Sequence, residues 1–376
     1  MMGFENSREM YPAGWVIWVL VFAAMTAWTV GAHAAPTYTI TDLGSLGSPL
    51  SNSFTVTYPT GINNAGQVVG YSQTATFFQE AFLYSNGQMT NLGTLGGPQG
   101  SAAAINNLGH VVGQSDVPFA TSEAFLYSDG HMNGLGFLGS VHDSYANGVN
   151  DSDQVVGWSM TNLNGIAHAF LYSSGHMTDL GTFLNGEGDS FANGINDSGE
   201  VVGQSVATGA TRAFLYKNGQ MFDLGTLGGR DSDALAINNL GQIVGDAVPP
   251  NNRDHAFLYS SSVMKDLGTL GGLDSSATAI NILGQVVGES SLADNLTDDG
   301  FVYTGGQMLD LNSLIPLNSG WILGPATGIN DNGQIVGLGT NPSGNVAGYL
   351  LTPVPEPTIF ALLLGLGGFA ALRRRR

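Results

Sequence analysis

The stretch Ala234-Leu-Ala-Ile-Asn-Asn-Leu-Gly-Gln-Ile-Val-Gly245 sets the pattern for the whole chain. Ala256-Phe-Leu-Tyr259 begins eleven positions after Gly245, and Met264-Lys-Asp-Leu-Gly-Thr-Leu-Gly-Gly272 follows a short polar turn. The Ile-Asn-x-x-Gly-Gln-Val-Val-Gly phrase recurs seven times, its last glycine falling at Gly70, Gly113, Gly157, Gly203, Gly245, Gly288 and Gly337. The step is therefore 42 to 49 residues. Self-similarity at that period marks a repeat architecture built from one supersecondary unit. It overrides the prior of two or three domains that 376 residues would suggest.

Each unit reads as four antiparallel strands. Ala-x-x-Ile-Asn and Gly-Gln-Val-Val-Gly are two short strands around a tight turn, with Asp153 once replacing the turn glycine. Ala81-Phe-Leu-Tyr84 and Met89-Thr-Asn-Leu-Gly93 flank Asn86-Gly87, the strongest short-range hairpin signal. From the Ala of Ala-Phe to the Leu of Asp-Leu-Gly is eleven residues in all six copies that contain both, so the register is fixed by the turn.

The Phe-Leu-Tyr run is apolar on both pleat faces, so both must be covered by neighbouring units. Four-stranded sheets packed face to face around an axis make a β-propeller. The ends favour this over a β-solenoid. Ile40-Thr-Asp-Leu-Gly-Ser-Leu-Gly47 is a fourth strand with no first three, and Gly348-Tyr-Leu-Leu351 is a third strand with no fourth. Together they complete one blade and remove the exposed edges. The expectation is an all-β, seven-bladed propeller over residues 35–353, closed by its N-terminal strand.

The two ends of the chain carry addresses. Arg8 lies in a polar start, Trp15 to Val30 is largely apolar, and Ala32-His33-Ala34 fits a small-x-small cleavage site. Pro36 disfavours cleavage after Ala35, which puts the cut after Ala34; an uncleaved membrane anchor is the alternative. Residues 1–34 thus read as a signal peptide for Sec export machinery and signal peptidase. At the other end, Val354-Pro355-Glu356-Pro357 precedes fifteen apolar or small residues, Thr358 to Leu372, and then Arg373, Arg374, Arg375 and Arg376. A helix of that length spans roughly 22 Å, short of the ~30 Å hydrocarbon core. The arginines would hold its end on the cytoplasmic side and leave the propeller outside.

Without 1–34 and 354–376, Lys plus Arg falls from 10 to 5 and Asp plus Glu from 29 to 27, so net charge moves from −19 to −22. Such a surface repels nucleic acid and anionic lipid, and nucleic-acid binding is set aside. With no cysteine, disulfides, thiolate metal sites and a cysteine nucleophile are excluded.

The tail 354–376, with motif, short apolar run and basic end in that order, resembles the PEP-CTERM sorting signal. That resemblance implies recognition by an exosortase and transient anchoring in the inner membrane of a Gram-negative bacterium. It also implies a final place at the cell surface or outside, in association with exopolysaccharide. Residues 38 to 351 resemble the HAF extracellular repeat family, whose His-Ala-Phe phrase stands here as His168-Ala169-Phe170 and His255-Ala256-Phe257. Elsewhere the His position is Glu80, Glu123, Arg212, Asp299 and Ala347. The resemblance implies export and a propeller-like fold but supplies no catalytic residues and no ligand.

For chemistry, the recurrent Asn at 63, 106, 150, 196, 238, 281 and 330 reads as a turn-satisfying side chain rather than a ligand. Asn150-Asp-Ser-Asp153 and Asn330-Asp-Asn-Gly333 invite Ca²⁺. Equivalent turns such as Asn106-Asn-Leu-Gly109 lack the carboxylates, so diffuse cation binding by the acidic surface is favoured over specific Ca²⁺ sites, which stay the alternative. No triad, nucleophile elbow, phosphate loop or zinc motif appears. The largest break in the repeat is Asn312 to Ala326, which contains Trp321. Two positions vary within the fixed unit: the residue before Ala-Phe, and the residue after Val-Val-Gly, which is Tyr71, Gln114, Trp158, Gln204, Asp246, Glu289 and Leu338. Each set forms a ring at one height. The candidate binding residues are Tyr71, Trp158, Asp246, Glu289 and Trp321, with no catalytic residue and no cofactor. The leading reading is a non-enzymatic surface or matrix protein that binds polymer or a surface component. An enzyme acting on extracellular polysaccharide and a structural spacer without ligand are the alternatives.

Overall fold

A computed structural model describes residues 37–47, 56–74, 78–118, 121–162 and 165–355. The signal-peptide reading (Ala32, Ala34) and most of the sorting tail (Glu356 to Arg376) lie outside the described residues. The repeat folds as seven four-stranded antiparallel sheets, and in the first six blades the strands pair in chain order from the axis outward. Blade 1 runs Thr57–Ile62, Val68–Gln73, Gln79–Ser85 and Gln88–Asn91; blade 5 runs Ser232–Ile237, Ile243–Ala247, His255–Ser260 and Val263–Asp266. Blade 7 takes Ile322–Ile329, Ile335–Thr340 and Val346–Pro353 from the C-terminal part and is completed by Tyr38–Asp42. Tyr38 stands opposite Pro353 and Asp42 opposite Tyr349. The expected seven-bladed ring and its closure are both present.

The invariant motifs have separable mechanical reasons. The first strand of every blade carries an extra residue, as at Ala192/Gly194 in blade 4, so it bulges towards its neighbour. The glycine closing Val-Val-Gly sits against that bulge. A Cβ on Gly203 would lie 1.9 Å from the Phe191 carbonyl oxygen, which no side chain tolerates. The outer hairpin needs two left-handed residues in a row. Asn86 and Gly87 provide them, at φ of 51° and 80°, as a two-residue turn whose twist matches the strands.

Hydrophobic burial is between blades. Val202, Ala213 and Leu224 of blade 4 meet Ala234, Ile243 and Phe257 of blade 5, and the other seams repeat this arrangement. At the closing seam Leu43, Val336 and Leu350 of blade 7 meet Val68 and Phe82 of blade 1. This is why Phe-Leu-Tyr is apolar on both faces. Each fully buried Phe contributes roughly 1.5–3 kcal/mol.

The recurrent Asn ties the ring together at one end of the axis. In blade 1, Asn63 Oδ1 accepts the N–H groups of Ala65 and Gln67, fixing its own turn. Its amide donates to Asn106 O in blade 2, and the relay passes from blade to blade until Asn330 donates back to Asn63 O, at 2.9–3.3 Å throughout. A second ring lies outside it, in which Asn64, Asn107, Asp151, Asp197 and Asp331 each donate a backbone N–H to the next blade's side chain. It is interrupted at Ile282, whose side chain offers Asn239 no acceptor.

The break at Asn312 to Ala326 is filled by packing. A 3₁₀ turn over Leu311–Leu314 buries Leu311, Leu314 and Ile315 against Leu323 and Tyr349, with Trp321 packed on the same cluster. Asn312 ties this segment down, donating to Leu323 O at 2.9 Å and accepting from Leu323 N at 2.7 Å.

Candidate functional site

The propeller has two unlike ends. The Asn turns and outer hairpin turns share one; the loops joining second to third strands, and the connections between blades, share the other. The variable residue after Val-Val-Gly faces the loop end. In register beside it stands a first-strand residue thirteen positions earlier: Tyr58 with Tyr71, Ser101 with Gln114, Tyr145 with Trp158, Phe191 with Gln204, Asp233 with Asp246, and Ser276 with Glu289.

These pairs divide the ring by chemistry. Tyr71 stacks on Tyr58 with ring centres 4.8 Å apart, and Trp158 on Tyr145 at 4.1 Å. Phe191 of blade 4 meets Trp158 in a T-shaped contact at 5.6 Å. Tyr71 and Trp158 are half-buried, so both pack within the ring and keep an accessible portion. Across the ring, Asp246 and Glu289 open into a cavity of about 340 Å³ between blades 5 and 6, with Asp254, Asp274, Ser276 and Asp298. The structure thus brings two of the five sequence candidates together in one pocket. Tyr71 and Trp158 share their height on other blades, and Trp321 stands apart in the packed break.

Two hydrogen bonds make the Asp233/Asp246 pair a junction of three blades. Asn193 of blade 4 donates to Asp233 Oδ1 at 2.9 Å, and Ser276 of blade 6 donates to Asp246 Oδ1 at 3.0 Å. Burial pushes the Asp233 carboxyl up to about 7, helped by the Asp246 charge and opposed by the Asn193 bond. Burial raises Asp246 to about 6; the Ser276 bond opposes this, and the charges of Asp254 and Glu289 add to it. Glu289 is raised by burial and by Asp298. At the rim, Arg253 lies 3.6 Å from Asp274.

This arrangement predicts a pH response. The folded carboxyls hold protons that the unfolded chain has already released, so stability falls as pH rises between about 4 and 7. The melting temperature should drop from about pH 5 to about pH 8, and Asp233→Asn should flatten that drop and melt higher at the alkaline end. Parallel melting curves for parent and variant across this range would show that the pair does not couple to folding.

The other variable set serves the blades themselves. His168 Nδ1 meets Asp179 Oδ2 at 2.8 Å and His255 Nδ1 meets Asp266 Oδ2 at 2.9 Å, each pair eleven residues apart. Glu123 accepts the Gly136 N–H at 2.9 Å, and Glu80 accepts from the Asn91 amide. These side chains lock third strand to fourth, away from the axis. The Asp-rich turns are also engaged: Asp151 and Asp331 accept cross-blade N–H groups, and Asp153 meets His110 at 2.7 Å. Among the described residues no group of three His, Asp or Glu side chains converges to hold a metal ion.

Sequence reasoning missed Asp233, Tyr58, Tyr145 and Phe191. The signal was present: a variable residue stands a constant thirteen positions before the ring residue, ahead of the first-strand Ala or, in blade 1, of Pro59. Asp274, within the strand Gly271–Ile280, also recurs at a fixed place, as Asp143, Asp189 and Asp231 in other blades, whereas Asp254 comes from a loop of irregular length and had no such signal.

No family model matches the chain, and no curated protein matches it. Resemblance to HAF repeats therefore rests on the motifs alone. Among solved structures, TolB from Acinetobacter baumannii is 12% identical with a TM-score of 0.43, covering 80% of this chain. This chain spans 64% of that TolB chain. A gluconolactonase from Xanthomonas campestris is 12% identical, TM-score 0.39, covering 87% of this chain and 94% of its own. An Aleuria aurantia lectin variant is 12% identical, TM-score 0.31, covering 86% and 96%. Similarities this loose carry no information about ligand or activity.

Proposed function

We propose that the protein is an exported, non-enzymatic surface or matrix propeller that binds polymer, with exopolysaccharide as the ligand class, at the loop end of its axis. The observation that carries this reading is the division of the axial ring. Stacked aromatic pairs on blades 1 and 3 offer flat apolar faces, and the pocket between blades 5 and 6 offers clustered hydroxyl-binding carboxylates. Sugars present both surfaces, an apolar ring face and a rim of hydroxyls. Export, exosortase processing and the Gram-negative surface rest on the terminal sequences.

The test is retention of the protein in native gels containing the host's extracellular polysaccharide. The parent should be retarded. Trp158→Ala and Asp246→Asn should each weaken binding about tenfold, or ~1.4 kcal/mol. Because Trp158 also packs on Tyr145 and Phe191, each variant's melting temperature is read alongside. Folded variants retained like the parent would remove these residues from the site.

A second reading, cleavage of the polymer, is favoured by the Asp233/Asp246 pair. A carboxyl that keeps its proton near neutrality is what a general acid in glycoside cleavage requires. Reducing sugar released by the parent and not by Asp246→Asn would replace binding with turnover. Neither binding nor release would leave a structural spacer.

A further inference from the structure

Both ends of the described chain leave the propeller at the same place. The third strand of blade 7 runs towards the Asn-turn end, and Val354 N donates to Thr37 O at 2.8 Å just beyond it. A Cβ on Gly333, in the Asn turn of blade 7, would lie 3.3 Å from the Pro353 ring, which fixes the exit beside the turns. Only Glu356 and Pro357 then separate Pro355 from the apolar run Thr358 to Leu372. Three Cα–Cα steps reach at most about 11 Å. The loop end lies a further strand length away, roughly 20 Å for six residues.

The Asn-turn end also carries apolar side chains that nothing in the blade requires. Leu108, Leu240 and Leu283 occupy one turn position in blades 2, 5 and 6 and are 60 to 70% exposed. The same position is Ala65, Ser152, Ser198 and Asn332 in the other blades. Leu240 and Leu283 sit on adjacent blades, beside Ile282 and the interruption in the outer ring. Their turns are already satisfied by Asn238 and Asn281, so the leucines add nothing to the turn itself. The charged groups around this mouth are acidic, Asp151, Asp197 and Asp331.

We propose that the Asn-turn end is a lipid-docking surface: while the apolar run is inserted in a bilayer, Leu108, Leu240 and Leu283 rest in its headgroup region. The loop end, with its aromatic pairs and acidic pocket, then points away from the membrane towards polymer. The inference rests on reading residues 358–372 as membrane-inserted. The short tether brings this end to the surface, and the exposed leucines give it something to bury there. The acidic mouth selects zwitterionic over anionic lipid.

The chain has no cysteine, so single labels can be placed cleanly. The chain from residue 35 to 376 is reconstituted in phosphatidylcholine–phosphatidylethanolamine vesicles containing a headgroup-nitroxide lipid. A fluorophore is carried at Leu240→Cys or Leu283→Cys, and for comparison at Leu296→Cys or Leu317→Cys, exposed positions of the loop end. The expected result is several-fold stronger quenching at 240 and 283 than at 296 and 317, reduced when phosphatidylglycerol is added. Equal or reversed quenching on protein that floats with the vesicles overturns the docking surface and leaves the tail reading standing. Protein that does not float overturns both. Protection at 240 and 283 that depends on protein concentration and persists without lipid assigns the surface to a second copy and overturns the proposal.

Discussion

Deleting residues 37–47 will convert the propeller into aggregating material, or lower its melting temperature by more than about 10 °C. The deleted strand contributes far more than five residue pairs with Val346–Pro353. Tyr38 is 2% exposed, and Leu43 helps close the seam between blades 7 and 1. Burying two such side chains contributes ~3–6 kcal/mol. Without the strand, Tyr349 and Leu351 border an open edge, and a bare apolar edge recruits other chains. Size-exclusion chromatography and thermal melting read both consequences. A deletion variant that elutes and melts like the parent would mean that the ring is not held by this strand.

Replacing Gly203 by alanine will cost about 3 kcal/mol or more, a large effect for a single methyl group. The added carbon would sit 1.9 Å from the Phe191 carbonyl oxygen and 2.9 Å from Ala192 Cα. Both are backbone atoms of the bulged first strand, so relief requires the two strands to part. The bulge also shapes the contact between blades 4 and 5, which spreads the damage beyond one sheet. Ser198→Ala, on an exposed turn of the same blade, is the control and should change stability by less than ~0.5 kcal/mol. Urea midpoints for the two variants settle the matter, and a Gly203→Ala protein as stable as the control would refute the close-approach account of the motif.

The architecture was legible because it is periodic. The Phe-Leu-Tyr run had to be covered on both faces, and the split blade at Ile40 and Gly348 announced closure. The eleven-residue spacing was read as hairpin register, and it also places His168 against Asp179 and His255 against Asp266. The role of the recurrent Asn was legible only in part. Its turn bonds follow from local chemistry, whereas its bond to the next blade's carbonyl spans 42 residues or more and leaves no local trace.

The site was less legible for a related reason. Ring positions Asp246 and Glu289 follow a fixed motif and could be found by counting. Of their pocket partners, Asp254 lies in a loop, where sequence fixes no direction, and Asp298 only opens the strand Asp298–Thr304 after an irregular connection. An active site on a symmetric scaffold should show as a break in the repeat, and the largest break is Asn312 to Ala326. It holds a packed 3₁₀ turn, because Leu311, Leu314 and Ile315 fill the gap between blades 6 and 7.

Hydrogen–deuterium exchange of residues 35–353, with and without the host's extracellular polysaccharide, tests most directly whether polymer binds at the loop end. The account predicts slowed exchange around 142–145, 158–162, 246–254 and 289–298, and unchanged exchange in the Asn turns. Slowing confined to the Asn turns, or no change anywhere at saturating polymer, would contradict it.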